Sequence, residues 1–185
     1  MKPILPYAAA ILLATTLCLP LRADDPPPGF VDFGKFAPPS GGGQFVEVNV
    51  KAQLLGLAAR LIEKQEPEVA ALLRDLKGVR VNVVGVDDAN RADLEERIRK
   101  IRVALDEAGW QRVVTVQDKD ENVGVYLKQR GEEAIDGVVV TVIDGGKEAV
   151  FVNVVGDIRP EKLAVLGEKL HIEPLKKVGE AVKKG

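Results

Sequence analysis

Hydrophobic positions recur with a period of two in Phe45-Val46-Glu47-Val48-Asn49-Val50, which puts Val46, Val48 and Val50 on one face of a strand. The period then lengthens. Leu54, Leu57, Ala58, Leu61 and Ile62 fall at helical spacing and predict a helix that ends before Pro67. Proline suits a first helical turn, so Glu66-Pro67-Glu68 predicts a second helix with Val69, Leu72, Leu73 and Leu76 inward and a stop at Gly78. Val79, Val81 and Val83 alternate with Arg80 and Asn82 in a second strand running to about Val86. Leu94, Ile98, Ile101 and Leu105 form the stripe of the longest helix, capped by Asp88 or Asn90 and ended by Gly109. Its other face pairs Glu95 with Arg99 and Glu96 with Lys100 at four-residue spacing, the pattern of a solvated surface.

From Arg112 onward the chain reads as strand after strand: Arg112 to Gln117, Asn122 to Lys128, about Gly137 to Asp144, and Glu148 to Val155. Asp144-Gly145-Gly146-Lys147 is the clearest hairpin turn among them. Strands mixed with helices come first and consecutive strands later, which predicts an α+β fold: a mixed, largely antiparallel sheet of about six strands with helices packed on one face. Pro160 to Leu170 reads as a further helix burying Leu163, Leu166 and Leu170. Residues 174–185 then form a short basic amphipathic tail, with Leu175, Val178 and Val182 opposed to Lys176, Lys177, Lys183 and Lys184.

Two valine-rich segments are apolar on both faces, Val138 to Ile143 and Val150 to Val155, so the second face also needs a cover. The candidates are a second copy of the chain, an apolar ligand, central placement between layers, or the segment that precedes the first strand. That segment, residues 24–44, is a Pro/Gly-rich linker by composition, yet it holds Phe30, Phe33 and Phe36. The expectation is that these rings fold back onto the sheet; the sharper alternative is a docking motif for a partner. Phe30, Phe33 and Phe36, with Tyr126 and Phe151, make up the candidate apolar interaction surface.

The start of the chain orders itself as a secretion signal. Lys2 is followed by a mostly apolar run from Ile4 to Leu21 and by small Ala23 before Asp24-Asp25, predicting removal of residues 1–23 and a periplasmic or secreted product. The run approaches the length of a membrane span, but Pro6, Pro20 and Thr15-Thr16 count against a permanent anchor. Bulky Leu17 before Cys18 counts against lipidation. After cleavage, residues 45–173 form a single domain. It contains no cysteine, since Cys18 is the only one in the chain, so the domain depends on its apolar core rather than on disulfides. The remaining charges, 24 basic against 28 acidic, argue against nucleic-acid binding.

Phe151-Val152-Asn153-Val154-Val155-Gly156-Asp157-Ile158-Arg159-Pro160, followed by Leu163, Leu166 and Leu170, resembles a bacterial family of exported proteins known as domain of unknown function 4252. Pro67-Glu68-Val69, Lys77-Gly78-Val79-Arg80-Val81, Gly109-Trp110 and Glu121-Asn122-Val123 agree with it, so the similarity covers roughly Phe45 to Ile172. The resemblance implies an exported α+β domain and brings no catalytic residues. Arg159 stands before Pro160 where a capping Asp or Ser would be more comfortable.

Reactive chemistry is sparse. Asp118-Lys119-Asp120-Glu121-Asn122 begins like a calcium loop, but Val123 stands where the turn needs glycine and Gln129 where a closing glutamate is needed. Ser40 is the only serine, and Thr115 and Thr141 lie in predicted strands, which leaves little for nucleophilic catalysis. Asp87, Asp88, Glu132, Glu133, Asp136, Asp144 and Asp157 could in principle supply a carboxylate pair, but all fall in or beside turns, where acids serve local structure. Asp157, after Gly156, reads as helping the turn into the last helix. His171, the only histidine, lies near a predicted helix end and lacks companions for a metal site.

The expectation is therefore an exported binding or adaptor module with no catalytic residues, no metal and no cofactor. It would engage an envelope protein or itself, with slight membrane contact through the tail and none with nucleic acid. An envelope enzyme using paired carboxylates and a membrane-associated protein are the alternatives.

Overall fold

The computed structural model describes residues 26–118, 121–131, 134–144, 147–159 and 162–169. Its elements run β1 (Phe45–Lys51), α1 (Ala52–Ile62), α2 (Pro67–Asp75), β2 (Leu76–Gly85), α3 (Arg91–Glu107), β3 (Gln111–Gln117), β4 (Glu121–Arg130), β5 (Ala134–Asp144), β6 (Glu148–Ile158) and α4 (Leu163–Lys169). The fold is α+β, built on one six-stranded sheet in the order β1-β2-β6-β5-β4-β3. The expected signal peptide, the tail and His171 lie outside the described residues.

Every strand pairing is antiparallel, whereas a mixed sheet was expected. The reason is the number of helices between strands. α1 and α2 form a hairpin, so the chain returns to the end of the sheet where β1 finished, and β2 pairs with β1 antiparallel. β2 and β3 are joined through a single helix, α3, but they sit four places apart and never meet. α3 has 17 residues and is about 25 Å long, enough to cross four strand spacings of about 4.8 Å.

Helices occupy both faces, not one. Leu55, Leu72, Leu163 and Leu166 from α1, α2 and α4 pack with Val79, Val125, Val138, Val140, Val152 and Val154 on the first face. Leu94, Ile98, Ile101 and Leu105 of α3 pack with Tyr126, Val139, Phe151 and Ala149 on the second. β5 and β6 are apolar on both sides, so a cover on one face alone would have left Val139 and Phe151 in water. Both are fully buried.

Sequence periodicity located the helices but not every buried face. α3 buries Leu94, Ile98, Ile101 and Leu105 as expected, and Gly109 follows at φ 71°, the left-handed conformation that ends a helix. In α1, by contrast, Leu55 and Ala59 point inward while Leu54, Leu57 and Leu61 do not. α2 ends at Asp75, and Leu76 is already the first buried residue of β2. Asn90 stands at the cap of α3 with no side-chain bond to the helix; its Oδ1 accepts from the Asp87 amide at 2.8 Å and its Nδ2 donates to the Gly85 carbonyl at 2.8 Å. Glu96 pairs with Lys100 at 3.5 Å as its spacing predicts, and also takes Arg99, the expected partner of Glu95.

Candidate functional site

Three of the acids that could have formed a catalytic pair, Asp87, Asp136 and Asp157, have structural partners. Asp87 Oδ1 accepts from the amides of Ala89 and Asn90 at 3.0 and 2.9 Å, and its Oδ2 accepts from Gly41 at 3.3 Å, so it ties the turn into α3 to the N-terminal segment. Asp136 and Asp157 do come together, but on either side of Arg130: the guanidinium lies 3.4 Å from Asp136 Oδ1 and pairs directly with Asp157. Arg130 thus bridges the two carboxylates as a clamp beside the register shift at Ile135/Gly137. Asp157 thus bonds across strands instead of shaping the turn into α4. Asp88 and Asp144 are exposed, and Glu132 and Glu133 lie outside the described residues.

The calcium-like segment runs into a strand. Glu121 and Asn122 belong to β4, Val123 is buried in the core, and the Asp118 amide donates to the Glu121 carbonyl at 2.8 Å. Among the described residues no group of three or more His, Cys, Asp or Glu is placed to hold a metal. Ser40 is exposed and Thr115 faces solvent on edge strand β3.

Of the five aromatics expected to form a surface, three lie in the interior. Phe33, Tyr126 and Phe151 are buried, and the rings of Phe33 and Phe36 lie 5.8 and 4.7 Å from that of Phe151. The segment before β1 therefore covers the second face beside α3, the fold-back arrangement. Arg97 of α3 donates to the carbonyls of Phe33 and Lys35 at 3.0 and 2.9 Å, and its guanidinium sits 4.6 Å from the Phe36 ring. Gly29 at φ 86° lies backbone-to-backbone on Gly137, where a Cβ on Gly29 would come to 2.7 Å of the Gly137 nitrogen and one on Gly137 to 2.5 Å of the Gly29 oxygen. Phe30 alone stays accessible, under the Arg80 guanidinium at 5.3 Å, at the rim of a cleft of about 690 Å³ that also reaches Asp32, Lys51 and Lys77.

Beneath α3, Tyr126 and Thr141 are fully buried and their hydroxyls find no hydrogen-bond partner, as does Arg102 Nε. Burial drives the Tyr126 phenol above its ordinary pKa, against the opposing pull of Arg102 and Arg112. The cleft beside Phe30 does not reach these groups.

An exposed apolar stripe lies on the helix layer of the first face. Leu54, Leu57 and Leu61 are 58, 49 and 73 % exposed. Spaced three and four residues apart, they share one side of α1, and Val48 of the adjoining edge strand β1 is exposed as well. Periodicity alone does not choose this side, because Leu55, Ala59 and Ile62 repeat with the same helical period. Arg60 and Lys64 flank the stripe, both exposed. Among the described residues no helix is long and apolar enough to cross a membrane.

No curated protein and no solved structure matches the chain. One family does: its match runs over residues 41–166, more than half of the chain, taking in all six strands and α1 to α3, and the chain belongs to this family, described as "Domain of unknown function (DUF4252)".

Proposed function

We propose that the chain is an exported, non-catalytic binding or adaptor module that engages a protein partner through the leucine stripe of α1. The observation that carries this reading is the exposure of Leu54, Leu57 and Leu61 on one short helix whose packing is already provided by Leu55 and Ala59. Apolar side chains that add nothing to the core and sit together on a surface are the usual mark of a docking site. The partner that fits is a protein presenting an apolar helix or groove edged with acids, since Arg60 and Lys64 border the stripe. Export is supported by the charged start, apolar run and small residue of Met1 to Ala23. The engagement of Asp136 and Asp157 by Arg130, and of Asp87 by the turn before α3, supports binding over catalysis.

The test is photo-cross-linking in the intact cell envelope from position 57 or 61, with Val103, exposed on α3 at the second face, as control. A protein adduct that forms from 57 and 61, is absent from 103 and disappears with Leu54→Glu supports the reading. Equal labelling from all three positions, or recovery of the chain in the cytoplasm, defeats it.

A further inference from the structure

We infer that the cleft of about 690 Å³ beside Phe30 binds a small amphiphilic anion, a carboxylate or phosphate carried on an apolar body. It opens on the second sheet face, away from the leucine stripe, and is independent of it.

Strand pairing lays four rows of residues across the second face where β1, β2 and β6 adjoin. Phe45, Val84 and Ala149 form the first and Glu47, Asn82 and Phe151 the second; Asn49, Arg80 and Asn153 form the third and Lys51, Gly78 and Val155 the fourth. α3 and the rings of Phe33 and Phe36 pack against the first two. Over the other two the segment before β1 reaches only β6 and β2, where Gly29 and Val31 bond Asn153 and Phe30 lies against Arg80. The corner beside edge strand β1 is left open, and this is the cleft.

Its floor is notched at Gly78, which carries no side chain between Lys51 and Val155. A Cβ at Gly78 would meet nothing closer than the Val50 carbonyl oxygen at 3.7 Å, an ordinary contact, so the notch is free space and not a tight crossing like that of Gly29 on Gly137. The register of β2 shifts between Leu76 and Gly78, and Lys77 borders the cleft at that point. Such irregularities re-aim side chains beside binding sites.

Charge decides the ligand class. Lys51, Lys77 and Arg80 line the cleft against one carboxylate, Asp32, in a chain of formal net charge −2. Among the described residues Lys51 and Lys77 form no ion pair. The Arg80 side chain is only 19 % exposed, yet a single nitrogen, Nη1, makes both of its polar contacts, each at 3.5 Å, to the Val31 carbonyl and to Asp32. Bonds that long are weak. An enclosed guanidinium so poorly engaged keeps donors for an anion, which its fork binds through two of them. The rest of the wall is mainly apolar, with Phe30, Val50 and Val155 prominent. Sites for small molecules hold about 300–1,000 Å³ and combine apolar walls with a few convergent polar groups. This combination selects a charged head on an apolar body over a bare ion.

Octanoate and octyl phosphate present the two heads on one tail, and octanol presents the tail without the charge. Calorimetric titration of the full chain should show saturable one-to-one binding of at least one of the anions, about tenfold or more tighter than octanol and weakening as salt rises. Lys51→Glu reverses an exposed, unpaired cation and Gly78→Val fills the notch with a residue suited to a strand; each should weaken the anion about tenfold or more while thermal unfolding stays unchanged. Lys147→Glu, at an exposed lysine in the turn between β5 and β6, should leave binding as it was. Octanol binding as tightly as the anions, no saturable binding of either anion, or binding that survives both Lys51→Glu and Gly78→Val overturns the inference.

Discussion

Asn153 holds Gly29 from the middle of the sheet: its fully buried side-chain Nδ2 donates to the Gly29 carbonyl at 2.9 Å, across 124 residues of sequence. The same amide's Oδ1 accepts from the Val31 amide at 2.9 Å, and its Nδ2 also reaches the Val138 carbonyl at 3.2 Å. One asparagine on β6 thereby docks a segment that is a linker by its proline and glycine content. Asn153→Ala strands the Val31 amide and the Gly29 carbonyl, and groups so stranded cost about 1–3 kcal/mol each. Urea denaturation should show a loss of about 2 kcal/mol or more; an unchanged midpoint would mean that the segment does not depend on this contact.

The aromatic segment divides into structural and accessible rings. Phe33→Ala removes a buried ring from against Phe151 and should cost about 3–5 kcal/mol, while Phe30→Ala should cost about 1 kcal/mol or less. Comparable losses at the two positions, measured by thermal unfolding, would contradict the burial difference on which this rests.

Tyr126 and Thr141 each bury a hydroxyl without a partner. Removing such a group while keeping its shape relieves desolvation, so Tyr126→Phe and Thr141→Val should leave stability equal or raise it by about 1–3 kcal/mol. A loss in both would reveal a bridging water in this cluster. The raised pKa of Tyr126 has its own consequence. The folded state favours the neutral phenol, so this contribution is whole below the unfolded value near 10 and is lost as pH climbs through the higher folded value. Alkaline unfolding should therefore be delayed in Tyr126→Phe.

On α1, stability and binding should separate. Leu55→Ala should cost about 2–5 kcal/mol, because Leu55 is in the core. Replacing Leu54 and Leu61 together by Ser should change stability by about 1 kcal/mol or less while abolishing the envelope adduct from position 57. Unfolding of this double variant would show that the stripe packs inside the protein.

The number and order of strands, the long α3 and the α+β class follow from the sequence, because periods of two and of 3.6 are local properties of a chain with one buried face. So does the shortage of reactive groups, which is a matter of composition. Tertiary structure alone decided the rest. α1 carries two overlapping helical repeats of apolar residues, and only its approach to α2 and β2 selected Leu55 and Ala59 over Leu54, Leu57 and Leu61. The carboxylates Asp136 and Asp157 meet at Arg130, and Glu121, Asp144 and Glu148 align, only once strand register is fixed. Register and the choice of face are set by contacts between residues far apart in sequence, and periodicity along a single segment does not record them.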